Sequence, residues 1–246
     1  MKAALKADTP SYPDSWSALP RGSALKHAIE AACVESSQLF FGYHLVKLGN
    51  LSAHVELPNC PIKHMVNVTA SEQPKSSLIA TSRELPFIEN SVDAFLLANE
   101  LDFAGDPHQI LREVDRVITP NGYLMLTGFN PFSIAGLLRF IPHKRIGRLR
   151  DARFFTKGRV KDWLYLLGFE IIESKDFAHF SLLSSHKNEA MNKLHRFCSR
   201  YFPWSGALYV IVARKREIPL SLVKPSWRLK PKFSAVGASA RNVTTR

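Results

Sequence analysis

Apolar residues follow two spacings along most of this chain, and the two spacings predict an alternation of strands and helices. Short apolar runs bounded by Gly, Asn, Ser or Asp are typical of buried strands. Seven such runs occur: YHLVKLGN (43–50), HMVNVTAS (64–71), SSLIATS (76–82), VDAFLLAN (92–99), GYLMLTGFN (122–130), EIIESKDF (170–177) and ALYVIVARK (207–215).

Three segments between these runs carry apolar residues at helical spacing instead. They are Ser23 to Phe40, Asp106 to Ile118 and a stretch that begins at Lys157 and stops at Gly168. The middle one has the clearest boundaries, because Asp106 is a good N-cap residue and Pro107 suits the first helical position. We therefore predict amphipathic helices over these three segments.

This order of elements predicts an α/β fold, namely a Rossmann-like, doubly wound and mostly parallel sheet with a late antiparallel edge strand. One domain over residues 23–215 accommodates all the predicted elements. Residues 1–22 are rich in Pro, Ser and Ala and are predicted to form a flexible N-terminal arm. Residues 216–246 contain several prolines and few regular patterns, and are predicted to form a basic, disordered tail.

Charge is distributed unevenly over the chain, whose net charge is +12. The segments 139–161 and 214–246 each contain nine Lys/Arg and one acidic residue, so the rest of the chain is slightly acidic. Such basic segments attract nucleic acid or anionic surfaces, but a solubilising surface and tail is the favoured explanation, because aromatic residues are not interleaved with the charges. No apolar run approaches the roughly 18 residues that a transmembrane helix needs, and we expect a cytoplasmic protein without a transmembrane segment.

The predicted fold indicates where a ligand binds. In open α/β sheets, ligands lie outside the carboxyl ends of the strands, near the point where the strand order reverses. The first predicted strand ends at Gly49 and Asn50, the third at Thr81 and Ser82, and the fourth at Asn99. Two acidic residues, Glu100 and Asp102, follow the fourth strand directly.

The residues around the fourth strand resemble a known family. The stretch LPFIENSVDAFLLANELDFAGDPHQILREVDRVITPNGYLMLTGFNP, from Leu85 to Pro131, resembles the middle of class I S-adenosylmethionine-dependent methyltransferases. The similarity extends more loosely from Tyr43 to Lys215, and within the superfamily it points to small uncharacterised bacterial methyltransferase-like proteins. The resemblance implies the class I methyltransferase fold, S-adenosylmethionine as cofactor, and methyl transfer to a nitrogen, oxygen or carbon nucleophile that the sequence does not identify.

The resemblance also implies a set of cofactor contacts, and this chain departs from the family pattern at three of them. The Gly-rich turn after the first strand is matched by Gly49, with Asn50 in place of a further glycine. An acidic residue that would bond the ribose hydroxyls is replaced by Thr69 at the end of the second strand. At the end of the third strand, Thr81 stands where an acidic residue would bond the adenine amino group, and Ser82 is the alternative.

Two further strand ends carry residues that the resemblance places at the site. Asn99 and Glu100, after the fourth strand, are predicted cofactor contacts. Asn130 and Pro131, after the fifth strand, are predicted to line the substrate side. No catalytic residue is assigned, because methyl transfer depends more on alignment of the reacting groups than on acid–base chemistry. The His and Cys residues have no spacing typical of a metal site.

The three neutral replacements leave more than one function open. Each missing charge-assisted hydrogen bond removes on the order of 1 to 2 kcal/mol, so cofactor affinity is lowered by about two or three powers of ten. The first interpretation is a methyltransferase. The second is a non-catalytic, methyltransferase-like scaffold whose basic segments bind RNA, protein or an anionic surface. The third, which a single glycine supports poorly, is another α/β nucleotide binder.

A substrate lid is predicted from two long connections. The insert Ala178 to Ser205, together with Ile134 to Phe155, would extend over the strand ends in this fold. Packing against the late strands is the alternative role for the same residues.

Overall fold

The computed structural model describes residues 12–133, 149, 151–178 and 206–216, which form a single seven-stranded sheet. The strands are β1 (His44–Leu48), β2 (His64–Thr69), β3 (Leu78–Ile79), β4 (Val92–Ala98), β5 (Ile118–Phe129), β6 (Phe169–Phe177) and β7 (Leu208–Lys215). All seven predicted strands are present, although β3 has only two residues.

Five helices and one 3-10 turn accompany the sheet in the described residues. The helices are α1 (Gly22–Ser37), α2 (Asn50–Ala53), α3 (Glu100–Phe103), α4 (Pro107–Val117) and α5 (Lys157–Leu166), and the 3-10 turn is Trp16–Ala18. The three longer helices coincide with the predicted ones. The only helix between β1 and β2 is the four-residue α2, so this connection gives the sheet little helical cover.

The strand order is β3-β2-β1-β4-β5-β7-β6, and it fixes where a ligand can approach. Strands β1 to β5 run parallel, and β7 pairs antiparallel with both β5 and β6. The order reverses between β1 and β4, which places the switch point at their carboxyl ends. The predicted class I methyltransferase topology, mostly parallel with a late antiparallel strand, is confirmed. The antiparallel strand lies next to the edge strand β6.

Apolar residues cover both faces of the sheet and form two cores. Helix α1 packs on one face through Leu25, Ile29 and Cys33, which are almost fully buried. Helices α4 and α5 pack on the other face, and the stripe that α4 contributes is the predicted one: Ile110, Leu111, Val114 and Val117. Because both faces of the sheet are covered, most strand residues are buried, and the strands therefore appear in the sequence as continuous apolar runs.

The start of α4 has the predicted cap. The Asp106 carboxylate accepts hydrogen bonds from the backbone N–H groups of His108 and Gln109, at 3.1 and 3.2 Å, and Pro107 occupies the first helical position. The cap sets the residue at which α4 begins. It thereby limits the conformation of the segment between β4 and α4, which contains α3.

The described part of the N-terminal segment, residues 12–19, packs against the sheet rather than extending into solvent. Trp16 and Leu19 are only 4% and 3% exposed and belong to the α1-side core. The indole Nε1 of Trp16 donates a hydrogen bond to the backbone carbonyl of Leu51 in α2, at 3.0 Å. The sequence analysis assigned residues 1–22 to a flexible arm, and in the structure this part of them covers the first strand end.

Several sequence-based predictions concern residues outside the described ranges. They include residues 134–148 and 179–205 of the predicted lid, and the basic tail from residue 217 onwards. The described end of the first lid segment reaches the strand ends, since Phe154 stacks on Phe129 with ring centroids 5.0 Å apart. Of the three cysteines, Cys33 and Cys60 are buried free thiols. None of the described helices combines the length and hydropathy needed to cross a membrane.

Candidate functional site

A cluster of polar, mostly buried residues lies at the carboxyl ends of β1, β3 and β4, and the N-terminal segment borders it. We call it the strand-end crevice and define it by Gly49, Asn50, Ser82, Glu100 and Tyr12. Gly49 and Asn50 follow β1, Ser82 follows β3, and Glu100 opens α3 directly after β4. The site therefore occupies the switch point of the sheet, where the topology predicts a ligand.

Glu100 is the central ionisable group of this crevice. Its side chain is buried, with 3% of the residue exposed, and the Ser82 hydroxyl donates a hydrogen bond to it at 2.6 Å. The Tyr12 hydroxyl donates a second one. Burial raises the pKa of Glu100 to about 7, because the charged form is poorly solvated there and the two hydrogen bonds offset only part of the penalty. Within the described residues, no ion pair joins this carboxyl to a cation.

Gly49 allows this carboxyl to lie against the first strand end. The residue has φ of +97°, and a Cβ atom at this position would be 1.9 Å from Glu100 Oε2. Any other residue would both strain the backbone and displace the carboxyl. The single glycine that the sequence retains in this turn is thus the one that the geometry requires.

Asn50 connects the first strand end to the second. It is 3% exposed, and its Oδ1 accepts a hydrogen bond from the backbone N–H of Ala70 at 3.1 Å. Thr69, at the end of β2, is also buried, and its hydroxyl donates to the Ser71 carbonyl at 2.9 Å and lies 2.5 Å from the Ser76 hydroxyl. Asn50 therefore connects the ends of β1 and β2, whereas Thr69 connects the end of β2 to the segment before β3.

Asn99 is in a similar position at the end of β4. It adopts a left-handed conformation with φ of 54°, its Nδ2 donates to Asp102 Oδ2 at 2.8 Å, and its Oδ1 accepts from the Thr127 hydroxyl at 3.0 Å. Asp102 Oδ2 also accepts from the backbone N–H of Phe129 at 3.0 Å. These contacts tie α3 to the end of β5 and direct Glu100, rather than Asn99, into the crevice.

The other predicted site residues are distributed around the crevice. At the β3 end, Thr81 is exposed while Ser82 points inward to Glu100. Asn130 is 7% exposed, its Oδ1 accepts from the backbone N–H of Phe132 at 3.0 Å, and Pro131 lies beside it, partly exposed. The structure thus brings Gly49, Ser82 and Glu100 into one group, with Asn130 and Pro131 at the end of the neighbouring strand.

Two residues of this region were missed in the sequence analysis. Tyr12 was missed because it lies in a segment rich in Pro and Ser. The two aromatic residues in SYPDSW, Tyr12 and Trp16, are the features that argue for packing there. The second is Lys47 in the centre of β1, which is 7% exposed and whose Nζ donates to the Val55 carbonyl at 2.8 Å. Burial lowers the pKa of this lysine, and a charged residue inside an apolar run is the feature that identifies it.

Comparison with known sequences gives one family model and one full-length relative. A family model described as "Methyltransferase domain" matches residues 54–126. The chain is 39% identical over 242 residues to the uncharacterised protein YafS of Escherichia coli, and the alignment covers 97% of each protein.

Comparison with solved structures supports the same architecture. An S-adenosylmethionine-dependent methyltransferase of Thermotoga maritima superposes with a TM-score of 0.54 at 18% identity, covering 78% of this chain and 91% of its own. One from Archaeoglobus fulgidus gives a TM-score of 0.53 at 15% identity, covering 77% and 94%. At these identities the similarity demonstrates a shared fold.

Proposed function

We propose that this chain, which belongs to the same family as YafS of Escherichia coli, is a class I S-adenosylmethionine-dependent methyltransferase that binds the cofactor in the strand-end crevice and transfers the methyl group to an acceptor nucleophile. The match to the methyltransferase domain model spans β2 to β5 and includes the strand ends at Ser82 and Glu100.

The observation that carries the proposal is the buried carboxyl of Glu100 beside the Gly49 turn. A buried carboxylate without a nearby cation is unfavourable unless a ligand supplies the positive charge. S-adenosylmethionine carries two positive groups, its sulfonium and its α-ammonium, in the methionine part that the family places against the first strand turn. Glu100 is thus complementary in charge to that part of the cofactor.

The remaining crevice residues fit the cofactor through neutral contacts. Gly49 lets the Glu100 carboxyl lie against the turn, and Ser82 holds that carboxyl in place. Thr69 and Asn50 are engaged with neighbouring groups, so they shape the crevice rather than supply free hydrogen-bonding atoms. The ribose side consequently lacks a buried carboxylate among the described residues. We expect moderate rather than tight affinity for the nucleoside part.

The residues of this chain act mainly by holding the cofactor in position and by shielding it from water. The cofactor, when bound, supplies an already activated methyl group, and alignment with the acceptor then provides much of the rate. Tyr12 and Trp16 cover the first strand end, which limits access of water. Asn130 and Pro131, at the end of β5, are proposed to line the acceptor side.

Isothermal titration calorimetry of the full chain tests this function. We expect S-adenosylmethionine to bind to the wild-type chain and to bind at least about tenfold more weakly to Glu100→Gln, because the variant keeps the shape and loses the charge. Glu84→Gln, which removes an exposed carboxylate near β3, is the matched control and is expected to bind like the wild type. Absence of binding to the wild type at millimolar cofactor would contradict the proposal.

A comparison with S-adenosylhomocysteine shows which positive group Glu100 faces. This product lacks the sulfonium charge but retains the ammonium. If the carboxyl faces the sulfonium, Glu100→Gln weakens S-adenosylmethionine more than S-adenosylhomocysteine. If it faces the ammonium, both are weakened equally.

A further inference from the structure

An open surface pocket lies outside the strand-end crevice, at the start of α1. It has a volume of about 440 Å³ and lies between the 3-10 turn, the first residues of α1 and the end of α2. We call it the α1 cavity. Glu100, Ser82 and Tyr12 do not line it, so it is separate from the crevice.

The lining of the α1 cavity is rich in groups that bind anions. Its polar side chains are Ser15, Ser17, Arg21, Ser23, Lys26 and His54. No carboxylate is among its lining residues. The nearest acidic group on α1 is Glu30, which pairs with Lys26 at 3.3 Å and with His27 at 3.3 Å. The cavity therefore presents cationic and hydroxyl groups, and Glu30 partly neutralises the charge of Lys26.

Arg21 provides the observation that points to a ligand. Its Nη1 atom is buried, and among the described residues it has no hydrogen-bond partner. A buried guanidinium nitrogen without an acceptor is costly, and the cost disappears when an anion supplies the acceptor. Arg21 also adopts a left-handed backbone conformation, with φ of 53°, directly before α1.

The helix start strengthens the anionic preference of the cavity. Arg21 occupies the N-cap position of the sixteen-residue helix α1, and no side chain caps the helix. The positive end of the helix dipole favours a negative group nearby, although the backbone N–H of Gly22 already donates to the Leu19 carbonyl at 3.1 Å. Ser23, in the first turn, lines the same cavity.

The size and walls of the cavity indicate more than a single inorganic ion. A volume of about 440 Å³ lies in the range of small-molecule pockets. Trp16 and Leu19 also line the cavity and supply apolar surface. We infer that the α1 cavity binds a small phosphomonoester, with the phosphate at Arg21 and Lys26 and the organic part against Trp16.

Calorimetric titration of the full chain at constant ionic strength tests this site. The probes are ribose 5-phosphate, inorganic phosphate and uncharged ribose. We expect ribose 5-phosphate to bind, inorganic phosphate to bind more weakly, and ribose not to bind. Equal affinity for the two phosphates would overturn the organic part of the inference, and absence of binding by ribose 5-phosphate would overturn all of it.

Variants then locate the binding. Arg21→Asn removes the guanidinium and retains a residue that tolerates left-handed backbone, and it is expected to weaken ribose 5-phosphate at least about tenfold. Lys26→Gln, on the regular part of α1, is expected to weaken it severalfold and provides a second variant if Arg21→Asn does not fold. Arg112→Gln, which removes an exposed cation from α4 on the opposite face, is the matched control. If all three variants bound ribose 5-phosphate as tightly as the wild type, the proposed site would be overturned.

The inference does not depend on the proposed methyl transfer. Glu100→Gln is expected to leave ribose 5-phosphate binding unchanged while it weakens S-adenosylmethionine. Failure of one site and failure of the other are therefore separate results.

Discussion

At the scale of single residues, Glu100 makes the stability of the folded chain depend on pH near neutrality. Burial raises its pKa from 4.5 to about 7, so the folded chain holds this proton more tightly than the unfolded chain does. The contribution of Glu100 to stability is complete below pH 4.5, and it is lost as the pH rises through about 7. The loss amounts to about 3 kcal/mol at most, since one pKa unit corresponds to about 1.4 kcal/mol.

We predict that Glu100→Gln removes this loss. The variant keeps a neutral side chain of the same size at every pH, so its free energy of unfolding should exceed that of the wild type at pH 8 and match it at pH 4.5. Urea unfolding followed by circular dichroism at both pH values measures the difference. Glu84→Gln should show no such divergence. A parallel pH dependence in wild type and Glu100→Gln would mean that Glu100 ionises normally in the folded chain.

Residue identities in the crevice were partly predictable from the sequence. Gly49, Ser82 and Glu100 were identified from strand ends and the family resemblance, and the structure brings them together. Asn50, Thr69 and Asn99 were placed at the correct strand ends, but their hydrogen-bond partners were not foreseeable. Ala70, Ser76 and Thr127 come from other parts of the chain, and only the fold sets their register.

At the scale of elements, the strands and longer helices followed from periodicity, and the N-terminal segment did not. Strong apolar patterns specify their own secondary structure, as β4 and α4 do. The segment from Tyr12 to Leu19 has no periodicity because it packs through isolated aromatic residues. Its position depends on tertiary contacts with α2 and the crevice, which composition does not reveal.

We predict that the indole hydrogen bond of Trp16 anchors this segment. Trp16→Phe keeps an apolar ring and removes one of the two hydrogen bonds that the Leu51 carbonyl accepts, the other coming from the backbone N–H of His54. The change should lower the free energy of unfolding by about 1 kcal/mol. Equilibrium urea unfolding measures the change. Tyr165→Phe, at an exposed aromatic residue of α5, is the control and should have little effect. A Trp16→Phe variant as stable as the wild type would show that the hydrogen bond is replaced by water.

At the scale of the whole molecule, the sheet topology was the most predictable feature. Alternating strands and helices leave few arrangements once crossovers are right-handed and parallel strands are buried. The insertion of β7 between β5 and β6 was less determined, because the chain between β6 and β7 is long enough for either order. The long insert between the last two predicted strands, Ala178 to Ser205, supplied the expectation of a late antiparallel strand.

The distribution of charge is the other property of the whole molecule. It allows a test of the interpretation that the basic segments bind nucleic acid. Residues 217–246 contain six Lys/Arg and one Glu, within a chain of net charge +12. If these cations contact phosphates, the full chain binds a single-stranded RNA 20-mer with an affinity that falls steeply with salt. Deletion of residues 217–246 then reduces the slope of log K against log salt by up to about 4, since each phosphate contact contributes about 0.7 for single strands.

Fluorescence anisotropy at several salt concentrations measures the slope for the full chain, the deletion and a full-length variant with the six cations replaced by Gln. The Gln variant separates charge from chain length, and it should behave like the deletion. Because the strand-end crevice lies within residues 12–133, both altered chains should bind S-adenosylmethionine as the wild type does. An unchanged slope in both would assign the RNA affinity to another surface, and loss of cofactor binding in the deletion alone would indicate that the tail supports the fold.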